Sequence, residues 1–267
     1  MPTLHPAETL LIEGPDAIAF AHAQFSSKVN SLAIGDWQFS AWLDPQGRVR
    51  ALFHLARIDA DRLLLLLRGG NAAAMAEALR RYVFRSKLTL TALPSRNLAS
   101  GPAHPMYAIL GEADTLAIGC GGHSLQITDE SNADEKWHPQ QLRDGWPWLP
   151  ARQLNELLPS ALSLQRLQAV AVDKGCYPGQ EIVARLHYRG GHKRHLHGVE
   201  LSQPVMPGES FHRDGHEAGC VLDVIATDER IEALVVLNDD VAAKAIDGRL
   251  NFADTELVMR LMTSWPA

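Results

Sequence analysis

The segment Lys174-Gly175-Cys176-Tyr177-Pro178-Gly179-Gln180-Glu181 constrains this chain more than any other stretch of it. Gly175 and Gly179 admit backbone angles and close approaches that a side chain would block. Pro178 fixes one dihedral and withdraws one amide donor. The expected product is a rigid loop presenting Cys176, with Lys174 near enough to favour the thiolate. Residue types alone leave a second reading open, a structural turn around an inert cysteine.

The rest of the chain narrows the classes of protein that could carry such a loop. A length of 267 residues suits one large domain or two to three small ones, and 46% hydrophobic residues can supply a core. No apolar run exceeds that of Leu63–Leu67, which is far too short to span a membrane and reads as a buried strand. The amino end shows no basic-then-apolar leader, so secretion is not expected. Cys120, Cys176 and Cys220 are odd in number and lack CxxC spacing, which argues against a zinc site or disulfide framework and for a reducing cytoplasm. A net charge of −6 argues against coating nucleic acid through bulk charge.

That charge is unevenly spread. No acidic residue stands between Glu181 and Glu200, whereas Arg185, Arg189, Lys193 and Arg194 are interleaved with His187, His192, His195 and His197. Such a strip suits an anionic small molecule or an RNA tail, and equally a solvated face. These histidines are not expected to hold a metal, because they sit among cations without a nearby carboxylate.

Periodicity gives a coarse organisation. Thr9 to Ile12 reads as a strand, followed by a helix capped by Asp16 with Ile18, His22 and Phe25 on one face. Asp44-Pro45-Gln46-Gly47 reads as a turn between strands. Leu52 to Ile58 and Leu63 to Leu67 pair across Asp59-Ala60-Asp61, a helix spans 72–83, and Lys87 to Leu93 returns as a strand. Pro94 to Pro105 reads as a connection, and short strands are expected at 106–110, 115–119 and 124–128. Asp129 to Glu135 reads as a polar segment, and short helices are expected at 152–158 and 162–170. Beyond His195, short strands divided by turns suggest a small closed or partly closed β unit.

Asp173 to Arg185, DKGCYPGQEIVAR, resembles the signature of the YgfZ-type folate-binding proteins, relatives of the glycine cleavage T-protein. The likeness continues through LHYRGGHKR to Arg194. It recurs at Ile12 to Val29 with Gln24 at a matching position, at LDPQGRV from Leu43, and at LRRYVFRSKLTL from Leu79. It is weakest from about Thr91 to Glu135. The resemblance implies an α+β protein of three units around a central folate channel. Here that means an α+β unit over 1–93, a reduced middle unit over 94–194 carrying the KGCYPGQE loop, and a small C-terminal β-barrel unit over 195–267.

The same resemblance implies tetrahydrofolate, or a one-carbon derivative of it, as the ligand. Trp137 would stack an aromatic ring, and Asp144 would accept from the pteridine amine, because Arg143 stands where the family carries a glutamate. Gln24, Tyr177, Gln180, Glu181 and Arg189 complete the implied binding set, with Arg185 able to pair with Glu181. A second family tryptophan has no counterpart around Ala7. The T-protein relies on an aspartate after its first hairpin, whereas Gly47 to Phe53 contains no acid, so aminomethyl transfer is not expected.

The resemblance to the YgfZ-type proteins then implies an accessory role in maintaining iron–sulfur proteins, including radical enzymes that modify tRNA, with Cys176 as the functional thiol and Lys174 as its activator. Iron–sulfur clients are then the expected partners, with tRNA reached only indirectly, no membrane, and nothing that demands more than a monomer. A folate-dependent one-carbon transferase, or an RNA- or protein-contacting scaffold, remains the alternative. Cys120 and Cys220 are expected to be packing residues.

Overall fold

The leucine run decides how the first sheet sits. In a strand, successive side chains face opposite ways, so a strand apolar at every position must be covered on both faces. The computed structural model describes residues 5–113, 115–130, 134–252 and 255–265, and it shows this arrangement. Leu64 and Leu66 point into one hydrophobic cluster and Leu63, Leu65 and Leu67 into another. Each such leucine stabilises the fold by roughly 1.5–3 kcal/mol relative to exposure.

In chain order the elements are β1 (Pro6–Ala7), β2 (Thr9–Glu13), α1 (Ala17–Gln24), β3 (Trp37–Leu43), β4 (Val49–Asp59), β5 (Arg62–Leu67), α2 (Ala72–Arg80), β6 (Thr89–Ala92), β7 (Arg96–Gly101), β8 (Ile109–Leu110), β9 (Ala117–Gly119), β10 (Ser124–Thr128), α3 (Trp137–Arg143), α4 (Gln180–Arg189), β11 (Arg194–Leu201), β12 (Ser210–Arg213), β13 (His216–Ala226), β14 (Ile231–Asn238), α5 (Asp239–Ala242), β15 (Arg249–Phe252) and β16 (Leu257–Trp265). They build three antiparallel sheets in the orders β3-β4-β5-β2-β6, β1-β7-β10-β9-β8 and β12-β13-β14-β11-β16-β15. Contact between β12 and β15 nearly closes the last into a six-stranded barrel. The class is α+β, and no helix among the described residues is long and apolar enough to cross a membrane.

Helices α1 and α2 cover the outer face of the first sheet through Ala17, Phe20, Ala21, Met75, Ala76 and Leu79. Its inner face meets the other two sheets in one shared core, where Leu52 and Leu66 join Leu98, Leu125, Trp137, Trp148, Leu222 and Leu234. The barrel interior is a third cluster around Val221, Val235, Phe252 and Met259. The middle sheet borrows β1 from the amino end, with Pro6 opposite Asn97 and Ala7 opposite Arg96.

Several local expectations shift. Asp16 stands at the N-cap of α1, but its carboxylate accepts the Lys87 amide (2.7 Å) and so ties the helix start to the chain before β6. The buried face of α1 is Ala17, Phe20 and Ala21. Helix α2 stops at Arg80, leaving Tyr82 exposed. The connection after Pro94 contains β7, because its amides and carbonyls are taken by β10. Segments 152–158 and 162–170 form turns, apart from a short 3-10 turn over Ala151–Gln153; left-handed Asn155, Ser163 and Gln168 interrupt any helical run. Within Asp129–Glu135, residues 131–133 lie outside the described set.

The expected turn at Asp44–Gly47 forms, with Gly47 (φ 80°) donating to the Asp44 carbonyl at 2.9 Å. Against it sits Gly179 (φ 78°), where an added Cβ would stand 2.5 Å from the Asp44 oxygen and 2.8 Å from the Gly47 Cα. Both obstacles are backbone and cannot move aside. Gly179→Ala is therefore expected to lower unfolding free energy by about 2–3 kcal/mol in urea titration, combining left-handed strain with the clash. A loss below about 0.5 kcal/mol would mean that the loop lifts off the hairpin freely.

Candidate functional site

The signature loop is built from its anchor outwards. The Ser26 hydroxyl donates to the Ala169 carbonyl at 2.7 Å and accepts the Ala41 amide at 3.0 Å, and the Ala171 amide returns to the Ser26 carbonyl at 2.8 Å. Lys28 pairs with Asp173 at 2.6 Å. Lys174 then donates to the carbonyls of His22, Phe25 and Ser27 at 2.6, 2.6 and 2.7 Å. These bonds use all three protons of the ammonium group. Burial pushes its pKa down to about 8. Lys174 therefore locks the loop to the end of α1, and no ammonium proton is left over for the Cys176 sulfur.

The Tyr177 ring lies 5.0 Å from the Lys174 Nζ and its hydroxyl donates to the Ala171 carbonyl at 2.9 Å. Gln180 donates to the Lys174 carbonyl at 3.0 Å. Held in this way, Cys176 is exposed, whereas Cys120 and Cys220 are buried and burial pushes each of those thiols up to about 12. The expected packing role of Cys120 and Cys220 fits their surroundings. Glu181 and Arg185 are not ion-paired with each other among the described residues, and Arg189 ends α4 on the exposed surface.

A second centre lies where the three sheets meet. A cavity of about 250 Å³ is lined by His5, Glu8, Gly69, Trp148 and Asp223 among others, so strands of all three sheets border it. That volume is near the small end of ligand sites, which run roughly 300–1,000 Å³. His5 rests on Trp148 (ring centroids 4.6 Å apart), Trp137 (5.5 Å) and His138 (4.3 Å). The buried Asp223 accepts from His138 at 2.8 Å and from the Val224 amide at 2.9 Å. His5 Nε2 stands 3.8 Å from the same carboxylate. Three buried ring nitrogens here have no partner: His5 Nδ1, Trp137 Nε1 and Trp148 Nε1. Buried donors of this kind are uncommon in finished cores, and they mark a place where a polar ligand can be satisfied.

Arg68 supports this wall from behind. It is fully buried and bonds the Gln141 side chain (2.8 Å), the Trp146 carbonyl (2.8 Å), the Pro147 carbonyl (2.9 Å) and His54 Nε2 (2.9 Å). Its guanidinium lies 4.6 Å from the Trp148 ring. Burial lowers its pKa to about 9, partly offset by Asp223, and the same burial with the Arg68 charge holds His54 well below the usual histidine range.

Placement of the expected binding residues is thus divided. Trp137 abuts the cavity from behind His5 and Trp148 but is only 1% exposed, which makes it a core residue as well. Asp144 caps α3 and accepts from Gln140 at 3.1 Å, while its neighbour Arg143 pairs with Glu232 at 2.7 Å. Gln24 sits among the carbonyls that bind Lys174, with its own Oε1 buried and unpartnered. None of Gln24, Asp144, Tyr177, Gln180, Glu181 or Arg189 lines the cavity. Sequence reasoning does not single out His5, Arg68, Trp148 or Asp223, which lie far apart along the chain and in no motif. The one signal available was the vacancy noted around Ala7: two residues away, the His5 ring packs on both tryptophans.

No family model matches the chain. An uncharacterized protein of Haemophilus influenzae is 27% identical, with 86% of each chain covered. The tRNA-modifying protein YgfZ of Cronobacter sakazakii is 26% identical, covering 86% of this chain and 82% of the relative. That of Klebsiella pneumoniae is 24% identical, covering 88% and 84%. Among solved structures, the glycine cleavage system aminomethyltransferase T from Bartonella henselae superposes with a TM-score of 0.70 at 16% identity, over 98% of this chain and 86% of that one.

Replacing Arg68 by Met removes donors from two carbonyls and an amide oxygen that stay buried, and is expected to cost about 2–4 kcal/mol in urea titration. An unchanged midpoint would show that the shared core does not need the guanidinium. A second test is of pH. Burial lowers His197 from 6.5 to about 4, with His195 lowering it further and Asp239 opposing. Between those values the unfolded chain binds more protons than the folded one, so stability present above pH 6.5 is lost as pH falls toward 4. Thermal melts should drop across that window, and His197→Gln should flatten the slope; a slope identical to the parent would assign the loss elsewhere.

Proposed function

Because this chain is a YgfZ-type protein with a T-protein-like fold, we propose that it binds tetrahydrofolate or a one-carbon derivative where its three sheets meet, and presents Cys176 to iron–sulfur clients. On this reading units 1–93, 94–194 and 195–267 surround a folate channel. The residues near the cavity suit such a ligand. Trp148 offers an indole face for a flat ring, with Trp137 packed behind it, and the unpartnered ring nitrogens of His5 and Trp148 suit a pteridine edge. Bound folate would supply one-carbon chemistry; the chain supplies a dry, aromatic, hydrogen-bonding wall for it.

The observation that carries the thiol assignment is the contrast between exposed Cys176 and the two buried cysteines. A thiol on a loop held by Lys174 and Gly179 reaches a macromolecular client without unfolding. Such a factor supports radical tRNA-modifying enzymes from the cytoplasm as a monomer and touches tRNA only through them; the names of the YgfZ relatives support the tRNA connection.

A one-carbon transferase retains one supporting observation: Asp223 brings a carboxylate to the cavity, although from the barrel and not from the first hairpin. Detectable turnover of methylene- or formyl-tetrahydrofolate with any acceptor would move the assignment there. The exposed Arg189 and Lys193 leave the scaffold reading with a basic strip as its support.

Anaerobic calorimetry should show saturable one-to-one binding of tetrahydrofolate, weakened about tenfold by Trp148→Leu. No heat at millimolar ligand would refute the folate assignment. Cys176→Ala should keep stability within about 0.5 kcal/mol and keep folate affinity, yet abolish support of iron–sulfur enzymes in cells. Full support by that variant would remove the thiol from the function.

A further inference from the structure

We infer that His5, His138 and Asp223 form a binding site for one divalent transition-metal ion of the zinc or ferrous class. One imidazole or carboxylate atom of each lies within 4.8 Å of those of the other two. All three side chains are buried, and they come from distant parts of the chain: the approach to β1, helix α3 and strand β13. Two imidazoles and one carboxylate facing one point form a donor set suited to such ions when further positions stay open. Here those positions face the cavity, which both His5 and Asp223 line.

Two further observations point to a ligand. His5 is 8% exposed, its Nδ1 has no partner, and its Nε2 stops 3.8 Å from Asp223, beyond hydrogen-bond range. A buried imidazole nitrogen without a partner costs stability that ligation of the ring would recover. Glu135 has a buried, unpartnered Oε1. The Asp223 carboxylate offsets the field of Arg68, which acts against a dication at this place.

Donors bound at about 2.0–2.1 Å around a tetrahedral centre lie roughly 3.4 Å apart. The 2.8 Å contact between His138 Nε2 and Asp223 Oδ2 must therefore open by roughly half an ångström, and the other donor separations, all within 4.8 Å, must settle near that value. The histidines at 187–197 are not part of this group, and His195 is held by Asp239 at 2.5 Å.

The test uses the full chain stripped with EDTA and titrated with zinc sulfate, with Co²⁺ as the spectroscopic probe. One equivalent should bind saturably, and Co²⁺ should give the visible absorption of a four- or five-coordinate site. His5→Gln should weaken zinc by more than roughly 100-fold, the upper end of what losing a ligand's hydrogen-bond partner costs. Asp223→Asn should do the same; should that variant fail to fold, His5→Gln decides alone. Absence of saturable zinc binding, or binding unaltered by His5→Gln, overturns the site. Titrating the zinc-free protein with tetrahydrofolate reads the folate proposal separately, so either can fail without the other.

Discussion

A guanidinium buried without a carboxylate in hydrogen-bond range holds this architecture together. Arg68 leaves the end of β5 and spends its donors on Gln141, Trp146, Pro147 and His54, while its own carbonyl receives the Leu149 amide at 2.9 Å. Burying a charge is unfavourable unless its hydrogen-bonding capacity is met, and these contacts meet four of its five donors. The residues it gathers come from the first sheet, from α3 and from the stretch after α3. The rear wall of the central cavity is therefore fixed by one side chain whose removal would leave several polar groups without partners. The field of Arg68 also helps to explain why Asp223 is tolerated at 2% exposure.

Around that guanidinium the chain makes an aromatic shell, Trp148 over Arg68 and Trp137 against His5, with more unsatisfied donors than a closed core would carry. A ligand-binding interior and a purely structural one differ in this respect. The barrel cluster around Val235 and Met259 gathers aliphatic and aromatic side chains, while buried His197 on β11 bonds Ser264 at 2.8 Å. The shared core carries three unpartnered ring nitrogens at the place where the three sheets converge.

Some of this was legible in the sequence and some was not, for reasons of range. The Asp44–Gly47 turn, the Leu63–Leu67 strand and the rigid loop at Cys176 are local, set by proline, glycine and alternation within a few residues. The lysine at 174 was legible as important, but its partners were not: the carbonyls of His22, Phe25 and Ser27 lie about 150 positions upstream, as the separations of 152, 149 and 147 show. Asp16 was legible as a cap position, yet its carboxylate is used by Lys87, 71 residues away. His5, Arg68, Trp148 and Asp223 carry no local signature at all, since each is ordinary in its own segment. Helices expected at 152–158 and 162–170 fail because left-handed Asn155, Ser163 and Gln168 send the backbone to other partners, such as the Val49 carbonyl that receives the Asn155 amide.

The thiol loop and the cavity are separate places, and the covalent path between them is not the mechanical one. Gly179 rests on the Asp44–Gly47 turn, and that turn opens β4, which carries His54 behind the cavity wall. Lys174 fastens the other end of the loop to the end of α1, which packs on the opposite face of the same sheet. The first sheet is thus gripped on one side by the loop that bears Cys176 and on the other by the core that borders the cavity. Gly179 and Gly47 approach through backbone atoms, so the base of the loop and the turn that opens β4 are packed too closely for a side chain at either glycine.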